Sequence, residues 1–155
     1  MKRSLPAGYL RAALIYVLAS SGLVATDARA QGYDEPYGQW RGQAQYQAIV
    51  RRISDPAAHA VVDLVIDIDP RGKVTGASTE NGCHMLGIAQ PGLAPHILNL
   101  NVTLRSCSYA GFNRIFRGYM SVYTAKRYAT LSLQAIDVTP GSGGGTFNIE
   151  STMRR

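Results

Sequence analysis

Apolar and polar side chains alternate along most of this chain beyond residue 39. From Trp40 the even positions carry Trp40, Gly42, Ala44, Tyr46, Ala48 and Val50, and the odd ones Arg41, Gln43, Gln45, Gln47, Ile49 and Arg51. A period of two is the signature of a strand with one buried face. Gly42 and Ala44 mark a bend or a close approach on the inner side. Ser54-Asp55-Pro56 ends this strand. A second begins near Ala60, with Val62, Leu64, Ile66 and Ile68 on one face and Asp63, Asp67 and Asp69 on the other. Asp69-Pro70-Arg71-Gly72 has turn chemistry, because proline presets φ and glycine accepts positive φ. Residues 73–80 return as a third strand, closed by the Asn81-Gly82 turn signal.

Residues 83–95 contain Gly87, Pro91, Gly92 and Pro95 and read as the longest irregular stretch of the domain. Alternation then resumes over 97–106, with Leu98, Leu100, Val102 and Leu104 inward and Asn99, Asn101, Thr103 and Arg105 outward. Further strands are expected at 114–123 (Phe116, Gly118, Met120 and Val122 inward), 128–138 (Ala129, Leu131, Leu133 and Ala135 inward) and 147–153. A glycine-rich loop at 139–145 separates the last two. Seven short strands without helical periodicity predict an all-β domain, a small antiparallel meander. A sheet with one apolar face must close or fold over to bury it. The prediction is a closed barrel, with a β-sandwich as the alternative.

The start of the chain has a different pattern. Lys2, Arg3 and Arg11 precede an uncharged run over 12–25, and Ala28-Arg29-Ala30 supplies the small side chains a signal peptidase accepts. A basic start, an apolar middle and a small-residue exit predict a cleavable signal peptide at 1–30. The apolar run falls short of the about 20 residues of a membrane span. Residues 31–38 form a lead-in and 39–155 a single domain. Cleavage leaves about 125 residues, enough for one core. It lowers the balance of 16 basic and 10 acidic residues by four and one, to about +3. So mild an excess does not point to nucleic acid, and is compatible with weak attraction to anionic envelope surfaces. The expected location is periplasmic or secreted, with no membrane span after cleavage. In that compartment Cys83 and Cys107 are expected to pair. A bridge closing a loop of about 25 residues contributes about 3.5 kcal/mol in the chain-entropy account, and here it is expected to pin the 83–95 stretch to the barrel end.

Candidate chemistry is sparse. Asp67-x-Asp69-x-Arg71-Gly72 opens like an EF-hand loop, but Arg71 and Ser78 stand where ligands are required. His59, His84 and His96 share no metal-ligand spacing, and no nucleophile–base motif is present. No cofactor, metal or catalytic residue is expected, and the chain does not read as an enzyme. Outward positions of the later strands are richer: Arg105, Arg117, Tyr119, Tyr123 and Tyr128 are of types enriched in binding hot spots. Trp40-x-Gly42 opening a strand, the Asn81-Gly82-Cys83 turn and a second cysteine after a strand together resemble small exported β-barrel proteins in general, inhibitors and ligand carriers among them. That likeness is architectural and does not fix function. The leading expectation is a non-catalytic module recognising an envelope protein, as an inhibitor or accessory factor. The alternative is a lipocalin-like carrier of a small apolar ligand.

Overall fold

The computed structural model describes residues 36–138 and 144–155. The expected signal peptide, the first part of the lead-in and most of the glycine-rich 139–145 loop lie outside these residues. The strands are β1 (Gly38–Val50), β2 (Ile53–Ser54), β3 (Ala60–Ile68), β4 (Lys73–Ser78), β5 (Cys83–Pro91), β6 (Ile97–Arg105), β7 (Ile115–Tyr123), β8 (Tyr128–Asp137) and β9 (Gly145–Arg154). Each strand from β3 onward pairs antiparallel with its successor. The long β1 pairs with β3 along Gly38–Tyr46 and with β9 along Arg41–Val50. Eight strands therefore close into an antiparallel barrel, and the two-residue β2 hangs from the end of β1.

The inner faces follow the alternation in the sequence. Trp40, Tyr46, Leu64, Ile66, Ile68, Leu104, Phe116, Met120, Leu133, Ile149 and Met153 are all fully buried and fill the barrel. The outside carries polar side chains with exposed apolar ones among them, such as Val61, Leu86, Ile88, Ile115 and Ile136. No helix among the described residues is long and apolar enough to cross a membrane. One end is plugged by Trp40, whose indole N–H donates to the Pro36 carbonyl at 2.7 Å. The other is plugged by an aromatic cluster in which the Phe112 ring lies 5.1 Å from Tyr46 and 5.7 Å from Phe147.

Closing so small a barrel bends its strands tightly, and Gly118 shows how. It faces inward on β7, and a Cβ there would run into the Ser132 carbonyl oxygen of β8. Gly42 stands in the same relation to the Thr152 carbonyl of β9. Only glycine lets these backbones approach so closely.

Two expectations are corrected. Residues 83–95 are not an irregular loop: 83–91 form β5, paired with β4 along 83–88 and with β6 along 84–91. Cys83 and Met85 point inward, with the small Gly87 and Ala89 after them, whereas Leu86 and Ile88 point outward and are 56% and 50% exposed. The larger apolar residues thus sit on the solvent face, which hid the alternation. The chain also reverses before Ser54-Asp55-Pro56. It turns at Arg51 and Arg52, with φ of 53° and 67°, a two-residue hairpin of the kind that asparagine and glycine favour. The Cys83–Cys107 disulfide is present, with a Cα–Cα distance of 4.1 Å, inside the about 7 Å that a bridge allows. It staples the start of β5 to the chain leaving β6, and does not pin a loop.

Candidate functional site

The register of the barrel decides which outward side chains meet. Near the end plugged by Trp40, Arg41 on β1 lies opposite Arg154 on β9, Arg154 opposite Tyr128 on β8, and Tyr128 opposite Tyr123 on β7. The Tyr123 and Tyr128 rings stack with centroids 4.7 Å apart at 22°, and the His96 ring centroid lies 5.8 Å from that of Tyr123. The connection from β7 to β8 adds Lys126 and Arg127, the latter in the left-handed region at φ 54°. Lys126, Arg127, Tyr128, Thr152 and Arg154 border a surface concavity of about 560 Å³.

Like charges directly opposite on neighbouring strands cost stability, as at Arg41 and Arg154, while the outward Asp63 and Asp67 of β3 lie diagonal to Arg41. Among the described residues, none of Arg41, Lys126, Arg127 and Arg154 has a carboxylate within ion-pair distance, whereas Arg114 pairs with Asp137 elsewhere on the barrel at 3.5 Å. Arg41 is held instead by the neutral Gln39 side chain at 2.6 Å. The result is a cationic strip with a stacked tyrosine pair at one end.

Further along the outer wall, Tyr119 is 48% exposed, opposite Asn99 on β6 and Ser132 on β8. With Gln43, Gln45, Thr130 and Glu150 it borders a shallow depression of about 630 Å³. Its lining mixes amides and hydroxyls, able both to donate and to accept hydrogen bonds, with the apolar Val61 and Leu131 and the acidic Glu150. Arg117 stands opposite Asn101 and Gln134.

The residues singled out from sequence therefore fall in three places. Tyr123 and Tyr128 touch. Arg117 and Tyr119 share the middle of β7, with Tyr119 roughly 13 Å from Tyr123 along the strand. Arg105 stands apart, at the disulfide end, opposite His84. Sequence reasoning missed Arg41 and Arg154 because they lie near opposite ends of the domain. Their outward parity was readable, but only closure of β1 on β9 makes them neighbours.

The disulfide end has a different chemistry. The Asp55 side chain caps a 3₁₀ turn at Pro56–Ala58 by accepting from the Ala57 N–H at 3.0 Å. A second 3₁₀ turn, Ala110–Phe112, follows Tyr109. The Tyr109 hydroxyl donates to Asp55 at 2.6 Å and ties the two turns together. This bond holds the Asp55 carboxyl below its usual range and raises Tyr109 above the ordinary phenol value. Arg114 fixes the second turn from behind. Its guanidinium lies 3.9 Å from the Phe147 ring centre, and its Nε donates to the Gly111 carbonyl.

Beneath the turns lies a cavity of about 180 Å³, bordered by Tyr46, Ala58, Val62, Asn81, Phe112 and the disulfide, among others. Burial raises the Tyr46 hydroxyl above its ordinary pKa, although the Asn81 and Ser78 side chains beside it pull the other way. Tyr46 Oη and Ser78 Oγ lie close together and both residues are 1% exposed, but neither oxygen makes a hydrogen bond of good geometry. An unsatisfied buried hydroxyl costs about 1–3 kcal/mol.

Other sequence features find structural roles. Asp69, in the EF-hand-like stretch, accepts from the Arg71 and Lys73 N–H groups at 2.8 Å each and closes the β3–β4 turn. Among the described residues no group of three His, Cys, Asp or Glu is placed to hold a metal ion. The chain matches no protein-family model, no curated protein and no solved structure.

Proposed function

We propose that this chain is an exported, non-catalytic recognition module that binds a protein of the cell envelope, as an inhibitor or accessory factor, in the periplasm or outside the cell. The observation that carries this reading is the strip Arg41–Arg154–Tyr128–Tyr123, which sets two cations side by side against a stacked aromatic pair. Tyrosine and arginine anchors of this kind dominate protein interfaces, and an acidic partner surface would offset the Arg41–Arg154 repulsion. Tyr119 and Arg117 extend the contact up the wall of β7. The disulfide supports export, since such bonds persist in oxidising compartments. The filled interior favours recognition by the outside and weighs against a carrier with its ligand along the barrel axis.

Affinity capture from an envelope extract tests the reading. The wild-type protein is expected to retain a specific partner, and Tyr123→Ala with Tyr128→Ala to lose it. Arg117→Ala with Tyr119→Ala is expected to weaken capture. Equal capture of the same partner by all three proteins would place the interface elsewhere.

A further inference from the structure

We propose that the outer wall of β5–β7 is a docking surface for an anionic lipid bilayer, touched from outside and not crossed. This goes beyond the protein contact argued above and does not depend on it.

The apolar part of the surface is set by register. Leu86 on β5 lies opposite Thr103 on β6, and Thr103 opposite Ile115 on β7. Ile88 follows Leu86 on the same face of β5. On β8, Ile136 is the next outward residue after Gln134, which pairs with Arg117. Leu86, Ile88, Ile115 and Ile136 are all exposed, so aliphatic side chains meet water along four neighbouring strands. Exposed apolar patches rimmed by polar residues mark interaction surfaces.

Charge says what covers this one. From Asn81 to Ile136 the chain has no aspartate or glutamate and five cations, Arg105, Arg114, Arg117, Lys126 and Arg127. That run includes all of β5, β6 and β7 and nearly all of β8. Asp63 and Asp67 face outward from β3, which stands across the barrel from β7. Arg105 and Arg117 are the next outward residues after Thr103 and Ile115, and Lys73 lies opposite Ile88. Among the described residues none of these three cations has a carboxylate within ion-pair distance. Beside Ile88 a concavity of about 200 Å³ is bordered by Gln90, Asn99, Asn101 and Arg117. It offers a guanidinium and amide N–H groups to a lipid phosphate, next to side chains suited to hydrocarbon.

A bilayer presents anions above an apolar layer, which is the chemistry this wall complements. A second copy fits poorly, because a twofold contact would set the acid-free wall against itself, cation against cation. A protein partner is less well served. The patch consists of leucine, isoleucine and threonine, whereas binding hot spots favour tryptophan, tyrosine and arginine. The stacked tyrosines lie at the other end of the barrel, with Tyr123 about 27 Å from Ile115 along β7.

The test is co-sedimentation of the protein with vesicles of phosphatidylcholine alone and of phosphatidylcholine with about 30% phosphatidylglycerol. Partition onto the anionic vesicles is expected to exceed that onto the neutral ones at least about tenfold, since each cation near the surface adds to the attraction. Leu86→Thr with Ile115→Thr leaves the charge unchanged and puts a strand-favouring residue at two exposed positions. It is expected to weaken partition at least about tenfold with the denaturation midpoint retained. Arg105→Gln with Arg117→Gln is expected to remove most of the preference for anionic vesicles. Tyr123→Ala with Tyr128→Ala, which tests the protein contact, is expected to keep vesicle binding. The proposal is overturned if the wild type does not sediment with anionic vesicles, or binds both kinds equally. It is overturned as well if Leu86→Thr with Ile115→Thr binds like the wild type, since the attraction would then be that of any basic protein. Loss of binding in Arg41→Gln with Arg154→Gln, with the wall variants unaffected, would move the contact to the cationic strip and overturn it too.

Discussion

Gly118 does its work by lacking a side chain. Its inward position on β7 brings the Ser132 carbonyl of β8 to where a Cβ would stand, so Gly118→Ala must push two paired strands apart. The expected cost is about 2–3 kcal/mol, in the range of overpacked cores, read as a lowered midpoint in urea denaturation. A change below about 0.5 kcal/mol would mean that the strands are not so close. At Asp55 and Tyr109 the prediction concerns pH. The folded state holds the Asp55 carboxyl below its ordinary 3.8. Its contribution to stability is therefore complete above that value and is lost as pH falls through the lower folded pKa. Tyr109 is raised above 10.0, so its contribution is present below that value and is lost as pH rises through the folded pKa. Tyr109→Phe is expected to move the Asp55 titration upward toward 3.8, with the Ala57 N–H still holding it slightly low. An NMR titration of the Asp55 carboxyl checks this, and an unchanged midpoint would contradict the bond.

Among the elements, the hairpin joining β1 to β2 and the strand β5 show where the sequence was legible and where it was not. Seven strands were readable because large apolar residues alternate with polar ones, as in Leu98–Leu104 against Asn99–Arg105. β5 was hidden because its alternation is reversed in size, with Gly87 and Ala89 inside and Leu86 and Ile88 outside. A count would have exposed it. Successive strands of a meander point in opposite directions, so an antiparallel barrel closes only with an even number, and seven cannot close. The β1–β2 turn was hidden because arginine carries no turn signal. Arg51 and Arg52 both adopt positive φ, at about 1–2 kcal/mol per residue for a side chain with a Cβ. Arg51→Asn with Arg52→Gly is therefore expected to stabilise the domain by about 1–2 kcal/mol, measured as a higher denaturation midpoint. A loss of stability would show that the arginine side chains hold the hairpin.

For the whole molecule, closure explains both what was legible in the candidate site and what was not. Tyr123 and Tyr128 face outward on adjacent strands, and a hairpin alone brings them together. Arg41 and Arg154 needed the barrel to close before they became neighbours. The cavity at the disulfide end was invisible, because it is assembled from β1, β3, the β4–β5 turn and both 3₁₀ turns. The bridge secures that end. Replacing Cys83 and Cys107 with serine is expected to lower stability by about 3–4 kcal/mol, and hydrogen exchange should quicken first at the start of β5 and around 107–113. Uniform quickening over the whole barrel would contradict this local role.

The central claim is that the cationic strip meets an acidic partner. Its most direct test is the dissociation constant for the captured envelope protein, measured from about 50 to about 500 mM salt for the wild type and for Arg154→Gln, since screening lengths fall steeply over that range. Salt is expected to weaken wild-type binding at least about tenfold. Arg154→Gln is expected to bind more weakly at low salt and to respond less steeply. A wild-type affinity indifferent to salt, with Arg154→Gln matching it throughout, would contradict the claim.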